Sequence, residues 1–276
     1  MDSQPKLSKM GRWLAEYLTQ PVDVPSLSPS TPRKLLESNL QQGDVLLLEG
    51  KLRISTAIKY LTQSSWSHAL LYVGPEYLQR AQAAGKLPNI DVKKDQLCMV
   101  EADLKHGVRL VGLDHYLYHH SRICRPIGLS DFDRQQLCDF ALERLGHHYD
   151  LRNIIDLMRY LLPTPPIPAR YRRKLLSIGS GDPTKAICST LIAQSFQAIG
   201  YPILPSITYH ANQSHRAHDA VGDPADPTTH PSTYHPTYHH RHHSLYTPRD
   251  FDVSPYFEII KPSLTAHFDF HQIQWD

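Results

Sequence analysis

The sequence predicts an α+β fold: one antiparallel sheet with helices packed against it. Three observations carry this. Short apolar or alternating runs, bounded by glycines and polar turns, fill residues 43–127 and read as strands. From Ser130 the pattern turns mainly helical. The last strongly patterned element is an apolar helix that opens on Ile187-Cys188-Ser189-Thr190. Strands first and helices after is the α+β order.

In chain order, residues 6–20 place Met10, Trp13, Leu14, Tyr17 and Leu18 on one helical face beside Lys6, Lys9 and Arg12. Such a helix packs on its own domain or lies on a membrane surface. Four prolines and several serines make 21–32 a linker. Gly43-Asp44-Val45-Leu46-Leu47-Leu48-Glu49-Gly50 is a strand buried on both faces, because its apolar run is continuous between two glycines. Residues 53–61 form a helix. Ser64-Ser65-Trp66 then leads into a strand where His68, Leu70 and Tyr72 share one face and Ala69, Leu71 and Val73 the other. Residues 75–95 are a helical or looped excursion.

Strands over 97–103 and 107–113 are joined by the hairpin-like Leu104-Lys105-His106-Gly107, and another strand follows over 121–127. Ser130, with Asp133 three residues on, caps a helix whose inner face is Leu137, Phe140 and Ala141 and which stops at Gly146. A helix over 151–162 is broken by Pro163, and a basic run covers 170–174. In the final helix Cys188, Leu191, Ile192, Ser195, Phe196 and Ile199 form one stripe, ended by Gly200 and Pro202. Nine of the 18 histidines fall between His210 and His243. No hydrophobic period survives in 206–247, so disorder or a loose loop is expected there. Order returns from Tyr246, with a terminal strand over 256–261.

A net charge of +2 gives no reason to invoke a nucleic-acid partner. The four cysteines, Cys98, Cys124, Cys138 and Cys188, show no paired spacing and no zinc pattern, so no metal or cofactor is expected. The N-terminus lacks an apolar core of signal-peptide length, and no run approaches about 18 apolar residues. These features predict free thiols in a reducing cytoplasmic compartment, with peripheral membrane contact as an option.

A cysteine at the start of a buried helix faces the positive end of the helix dipole, which favours the thiolate. Nucleophilic chemistry also needs a base, an acceptor to orient that base, and donors for the oxyanion. His68, fixed on a mid-sheet strand, is a candidate base. Glu101, flanked by Val100 and Ala102, is a carboxylate that either faces solvent or has a partner. Asp103, two residues on and on the same face, is its rival.

Taken together, Gly43-Asp44-Val45-Leu46-Leu47, Trp66-Ser67-His68-Ala69, Val100-Glu101-Ala102 with Gly107-Val108, Tyr149-Asp150 and Ile187-Cys188-Ser189 form an ordered set. The set resembles the YiiX/YebB-like cysteine hydrolases, circularly permuted papain-fold relatives of the NlpC-type cell-wall peptidases. The permutation is visible in the order, since His precedes Cys. The resemblance covers residues 40–205, the catalytic domain, and a C-terminal strand within 247–276. Residues 1–39 stand before it, and the His-rich 206–246 is an insertion foreign to the pattern.

The resemblance implies an antiparallel barrel-like sheet with the Cys helix packed against it. It implies Cys188 as nucleophile, His68 as base and Glu101 as the third polar residue, with the Cys188 backbone N–H among the oxyanion donors. Tyr149, Ser67 and Ser189 are the expected substrate-binding residues. Thr190 stands where close relatives often carry an acidic residue, which bears on substrate contacts. The implied activity is cleavage of an amide or ester through a thioester, on a small-molecule, lipid or peptide acyl substrate. The alternatives are a lipid acyltransferase using the same Cys/His pair, or a non-catalytic binding module. A third reading, loose metal binding by the histidine-rich stretch, has no fixed ligand spacing behind it.

Overall fold

Four consecutive apolar residues, all buried, make Val45–Leu48 (β1) the centre of the sheet. The computed structural model describes residues 17, 20–22, 31–83, 85, 98–103, 106–147, 187–211 and 234–261. The other strands are His68–Tyr72 (β2), Cys98–Asp103 (β3), Gly107–Gly112 (β4), Ser121–Pro126 (β5), Ser206–Ala211 (β6), Tyr234–His239 (β7) and Phe257–Ile260 (β8). Six of them form one sheet in the order β4-β3-β2-β1-β5-β8, antiparallel at every pairing. Among the described residues the sheet is open rather than barrel-like. Its edges are β4, which carries Arg109, and the four-residue β8, which carries Glu258.

Strand alternation sorts the core into two layers. Val45, Leu47, Ala69, Leu71, Cys98, Val100 and Ala102 face one way. They pack on the helices Glu76–Ala83 (α3), Asp131–Glu143 (α4) and Ile187–Ala198 (α5). Leu46, Leu48, Leu70, Tyr72, Met99 and Ile123 face the other way, under Leu36 of the short helix Arg33–Asn39 (α1), Leu40 just beyond it, and Leu113 of a 3-10 turn, Leu113–Tyr116. Between β1 and β2 runs the helix Arg53–Thr62 (α2).

Local chemistry fixes the helix ends. Ser130 and Asp133 form the capping box that opens α4. Thr247 and Asp250 form another at Pro248–Val253 (α6). The inner stripe of α5 ends in Phe196, whose ring sits 5.2 Å from Phe257, 5.4 Å from Tyr201 and 6.3 Å from Phe251. Gly200 takes φ +71°, which lets the chain turn sharply off the helix. Asp44, buried at the start of β1, is a structural residue: Arg125 Nη2 donates to it at 2.8 Å, as does the Gln41 backbone N–H.

The histidine-rich stretch is more ordered at its ends than its composition suggests. β6 and β7 pair antiparallel, with Thr208 opposite Thr237 and His210 opposite His235. The period was hidden because the side chains described in this two-stranded ribbon, Ile207 and Tyr238 among them, are exposed and mark no core face. Of the amphipathic 6–20 segment, only Tyr17 and Gln20 lie within the described residues, with the Arg53 guanidinium 4.2 Å over the Tyr17 ring. Among the described residues, no helix is long and apolar enough to cross a membrane.

Candidate active site

His68 is the first residue of β2, and its side chain keeps 22% of its surface exposed. Glu101 lies on the neighbouring β3 and is only 1% exposed. A carboxylate this buried must be satisfied by donors. It has three. His68 Nε2 meets Glu101 Oε2 at 2.7 Å. Arg109, directly opposite in the β3–β4 register, donates from Nε to Oε1 at 2.8 Å. The Tyr116 hydroxyl, at the end of the 3-10 turn, donates to Oε2. Asp103, the rival carboxylate, instead accepts from Arg109 at 3.2 Å and meets His106 Nδ1 at 3.1 Å.

The electrostatics follow from these contacts. Burial pushes the Glu101 carboxyl upward, but His68, Tyr116 and Arg109 outweigh it and hold the group at about 2. Burial pushes His68 downward, but Cys188 and then Glu101 outweigh it and raise the imidazole to about 10. The imidazolium is the favoured form between these two partners.

Cys188 is the second residue of α5 and buried, and it favours the charged form of the His68 imidazole. Its Sγ also lies 4.0 Å from the Ser67 carbonyl oxygen. With Nε2 occupied by Glu101, Nδ1 is the ring nitrogen left for the thiol. The helix brings Cys188 here because Leu191, Ile192 and Phe196 seat α5 on the β2–β3 side of the sheet. The other three cysteines are buried as well. Burial raises Cys98 to about 11 and Cys138 to about 12, and pushes Cys124 up further.

The structure thus brings Cys188, His68 and Glu101 together. It places Ser67 and Ser189 differently from the substrate-binding expectation, because both hydroxyls are engaged by backbone. Ser67 Oγ accepts the Gly50 N–H at 2.9 Å. Gly50 is packed so closely that an added Cβ would lie 2.3 Å from Ser55 Oγ and 2.8 Å from Ser67 Oγ. Ser189, fully buried, donates to the Tyr246 carbonyl at 2.6 Å. Tyr149 and the basic 170–174 run lie outside the described residues.

Sequence reasoning missed Arg109 and Tyr116. Arg109 had a signal: with Asp103 opposite Gly107, counting two residues along each strand sets it opposite Glu101. Tyr116 had none, since a 3-10 turn carries no periodicity. Trp66 was quoted only as a lead-in, yet it braces the entry to β2. Its Nε1 donates to Asp252 Oδ2 at 3.0 Å, its ring stacks on His120 at 5.1 Å, and Arg122 covers it at 4.9 Å. Among the described residues, no group of three or more His, Cys, Asp or Glu side chains is placed to hold a metal ion.

A strand His, a neighbouring strand Glu and a helix-opening Cys, met in that chain order, define a permuted papain-like protein. Residues 39–160 match the model of the permuted papain-like amidase enzymes, the YaeF/YiiX, C92 family. The matched span holds His68 and Glu101 and stops before Cys188. A crystal structure of YiiX from Escherichia coli O157:H7, described as a metalloprotein, aligns at 15% identity with a TM-score of 0.43, over 80% of this chain and 96% of that one. Among curated proteins, nothing matches the chain.

Proposed function

We propose that the protein is a cysteine hydrolase cleaving an amide or ester bond through a thioester on Cys188. The family match over residues 39–160 supports a cysteine hydrolase in general. One observation carries the finer reading: His68 Nε2 is held by a saturated, buried carboxylate, and Cys188 favours the charged form of the same ring. That is the nucleophile–base–orienter arrangement of acyl transfer.

In this reading His68 takes the proton of Cys188. Cys188 Sγ attacks the carbonyl carbon, and the resulting oxyanion is met by the Cys188 backbone N–H at the helix start. Nδ1 of His68 gives its proton to the leaving nitrogen or oxygen as that bond breaks, leaving a thioester. Water then attacks, His68 takes its proton, and the thiolate departs with the acid released. Glu101 keeps Nε2 protonated throughout and holds the ring in plane. An alcohol or amine in place of that water would make the same protein a lipid acyltransferase. The acyl donor is a small molecule, lipid or peptide.

The test is trapping the acyl-enzyme. The full chain is mixed with 4-nitrophenyl acetate, quenched in acid and mapped by mass spectrometry. An acetyl group on Cys188, absent in Cys188→Ala and strongly reduced in His68→Ala, supports the reading. Acetylation spread over lysines with none on Cys188 contradicts it and returns the binding module.

A further inference from the structure

The chain that follows β1 turns an exposed face outward close to the catalytic groups. Gly50 sets its place. The Gly50 N–H donates to Ser67 Oγ at 2.9 Å, and the Ser67 carbonyl oxygen lies 4.0 Å from Cys188 Sγ. The next two residues, Lys51 and Leu52, are exposed. α2 then carries Arg53, Thr56 and Tyr60 at the three- and four-residue spacing of one helical face. Its inner side is Ser55, Ile58 and Thr62, all buried, whereas Tyr60 is 75% exposed.

Two further aromatic rings join this face. The Arg53 guanidinium covers the Tyr17 ring at 4.2 Å. Backbone bonds tie the two segments together, from the Val22 N–H to the Lys51 carbonyl at 2.8 Å and from the Arg53 N–H to the Gln20 carbonyl at 3.1 Å. On the other side, Lys51 Nζ donates to the Tyr118 carbonyl at 3.2 Å, and Tyr118 is 81% exposed.

The charge here has one sign. Glu49, two residues before Lys51, is taken by Lys59 at 3.1 Å, and Asp114, on the 3-10 turn before Tyr118, is taken by Arg33. Among the described residues, neither Lys51 nor Arg53 pairs with a carboxylate. Arg249 adds a cation at the far end of α2, where it donates to the Thr62 carbonyl at 3.2 Å. Tyrosines with an apolar body and a polar tip, set among lysine and arginine, suit the headgroup level of a bilayer, where the cations meet anionic phosphates. Tyr17 also belongs to the 6–20 segment, whose sequence sets Lys6, Lys9 and Arg12 beside an apolar stripe.

We propose that Tyr17, Lys51, Leu52, Arg53, Tyr60 and Tyr118 form a docking face for an anionic lipid surface. The cations supply attraction to the headgroups, and Leu52 and the tyrosines supply apolar contact just below them. Docking does not depend on the hydrolase reading, because vesicle binding needs no acyl transfer.

The test is sedimentation of the full chain with two kinds of vesicle, phosphatidylcholine alone and phosphatidylcholine with phosphatidylserine in equal parts. It is repeated with the double variants Lys51→Gln/Arg53→Gln and Tyr60→Ser/Tyr118→Ser, and with Phe132→Ser, an exposed ring on α4. The native chain is expected to bind the mixed vesicles and not phosphatidylcholine alone. Each double variant is expected to bind about tenfold or more weakly at an unchanged unfolding temperature, and Phe132→Ser to bind as the native chain does. If a double variant loses the native unfolding temperature, its two single substitutions are judged by the same criterion. No binding of the native chain to mixed vesicles overturns the proposal, as does equal binding to both kinds of vesicle. Native-level binding by either double variant also overturns it and assigns lipid contact to another part of the chain.

Discussion

His68 gives Nε2 to Glu101 at 2.7 Å and so has only Nδ1 to offer Cys188. The tautomer and the direction of proton transfer are both set by that one bond. Glu101→Gln keeps the size of the side chain and removes the charge that holds the imidazolium. A hydrogen bond to a charged group contributes about 1.5–3 kcal/mol, so kcat/KM for a cleaved ester is expected to fall by about 10–100-fold. Steady-state kinetics on the variant checks this, and an unchanged kcat/KM contradicts the assigned role.

Arg109 and Tyr116 act through Glu101 and are positioning residues. Removing either donor, by Arg109→Met or Tyr116→Phe, lets the carboxyl rise from about 2 and weakens its hold on His68. The imidazole then titrates below its value of about 10. The alkaline limb of the kcat/KM profile is expected to move to lower pH in both variants. A profile that only scales down, with limbs unmoved, indicates a structural role alone.

The same contacts make a stability prediction with a definite sign. Glu101 is held at about 2 against an ordinary 4.5. Its contribution is full above pH 4.5 and is lost as pH falls through about 2. His68 is raised to about 10 from an ordinary 6.5. Its contribution is full below pH 6.5 and is lost as pH rises through about 10. Thermal unfolding across pH is expected to show Glu101→Gln flattening the acid side and His68→Gln the alkaline side. Variants with the native pH dependence contradict the pairing.

Much of this was legible from residue order alone. The continuous apolar run at 45–48 marked the central strand, and alternation about His68 gave its face. The Ser130/Asp133 pair gave the start of α4, and the stripe from Cys188 gave α5. What stayed hidden depends on contacts between elements. Tyr116 reaches Glu101 from a turn without periodicity, and the hydroxyls of Ser67 and Ser189 are taken by Gly50 and Tyr246, which are distant in sequence. The β6–β7 ribbon was missed because its described side chains, Ile207, Thr208 and Tyr238 among them, are exposed and mark no core face.

Ser189 separates structure from chemistry. Its hydroxyl satisfies the Tyr246 carbonyl in a buried setting. Ser189→Ala is expected to lower unfolding stability by about 1–2 kcal/mol, read by urea denaturation. Acylation of Cys188 is expected to persist in this variant. Loss of acylation with native stability would return Ser189 to the substrate site.

The central claim is that Cys188 is the nucleophile and that His68, held by Glu101, is its base. The most direct measurement is limiting iodoacetamide across pH, with each cysteine mapped by mass spectrometry. Cys98, Cys124 and Cys138 are buried and raised, and serve as internal references. The account predicts preferential labelling of Cys188 well below pH 8, lost in His68→Ala. Equal slow labelling of all four cysteines, or labelling of Cys188 that ignores His68, would contradict it.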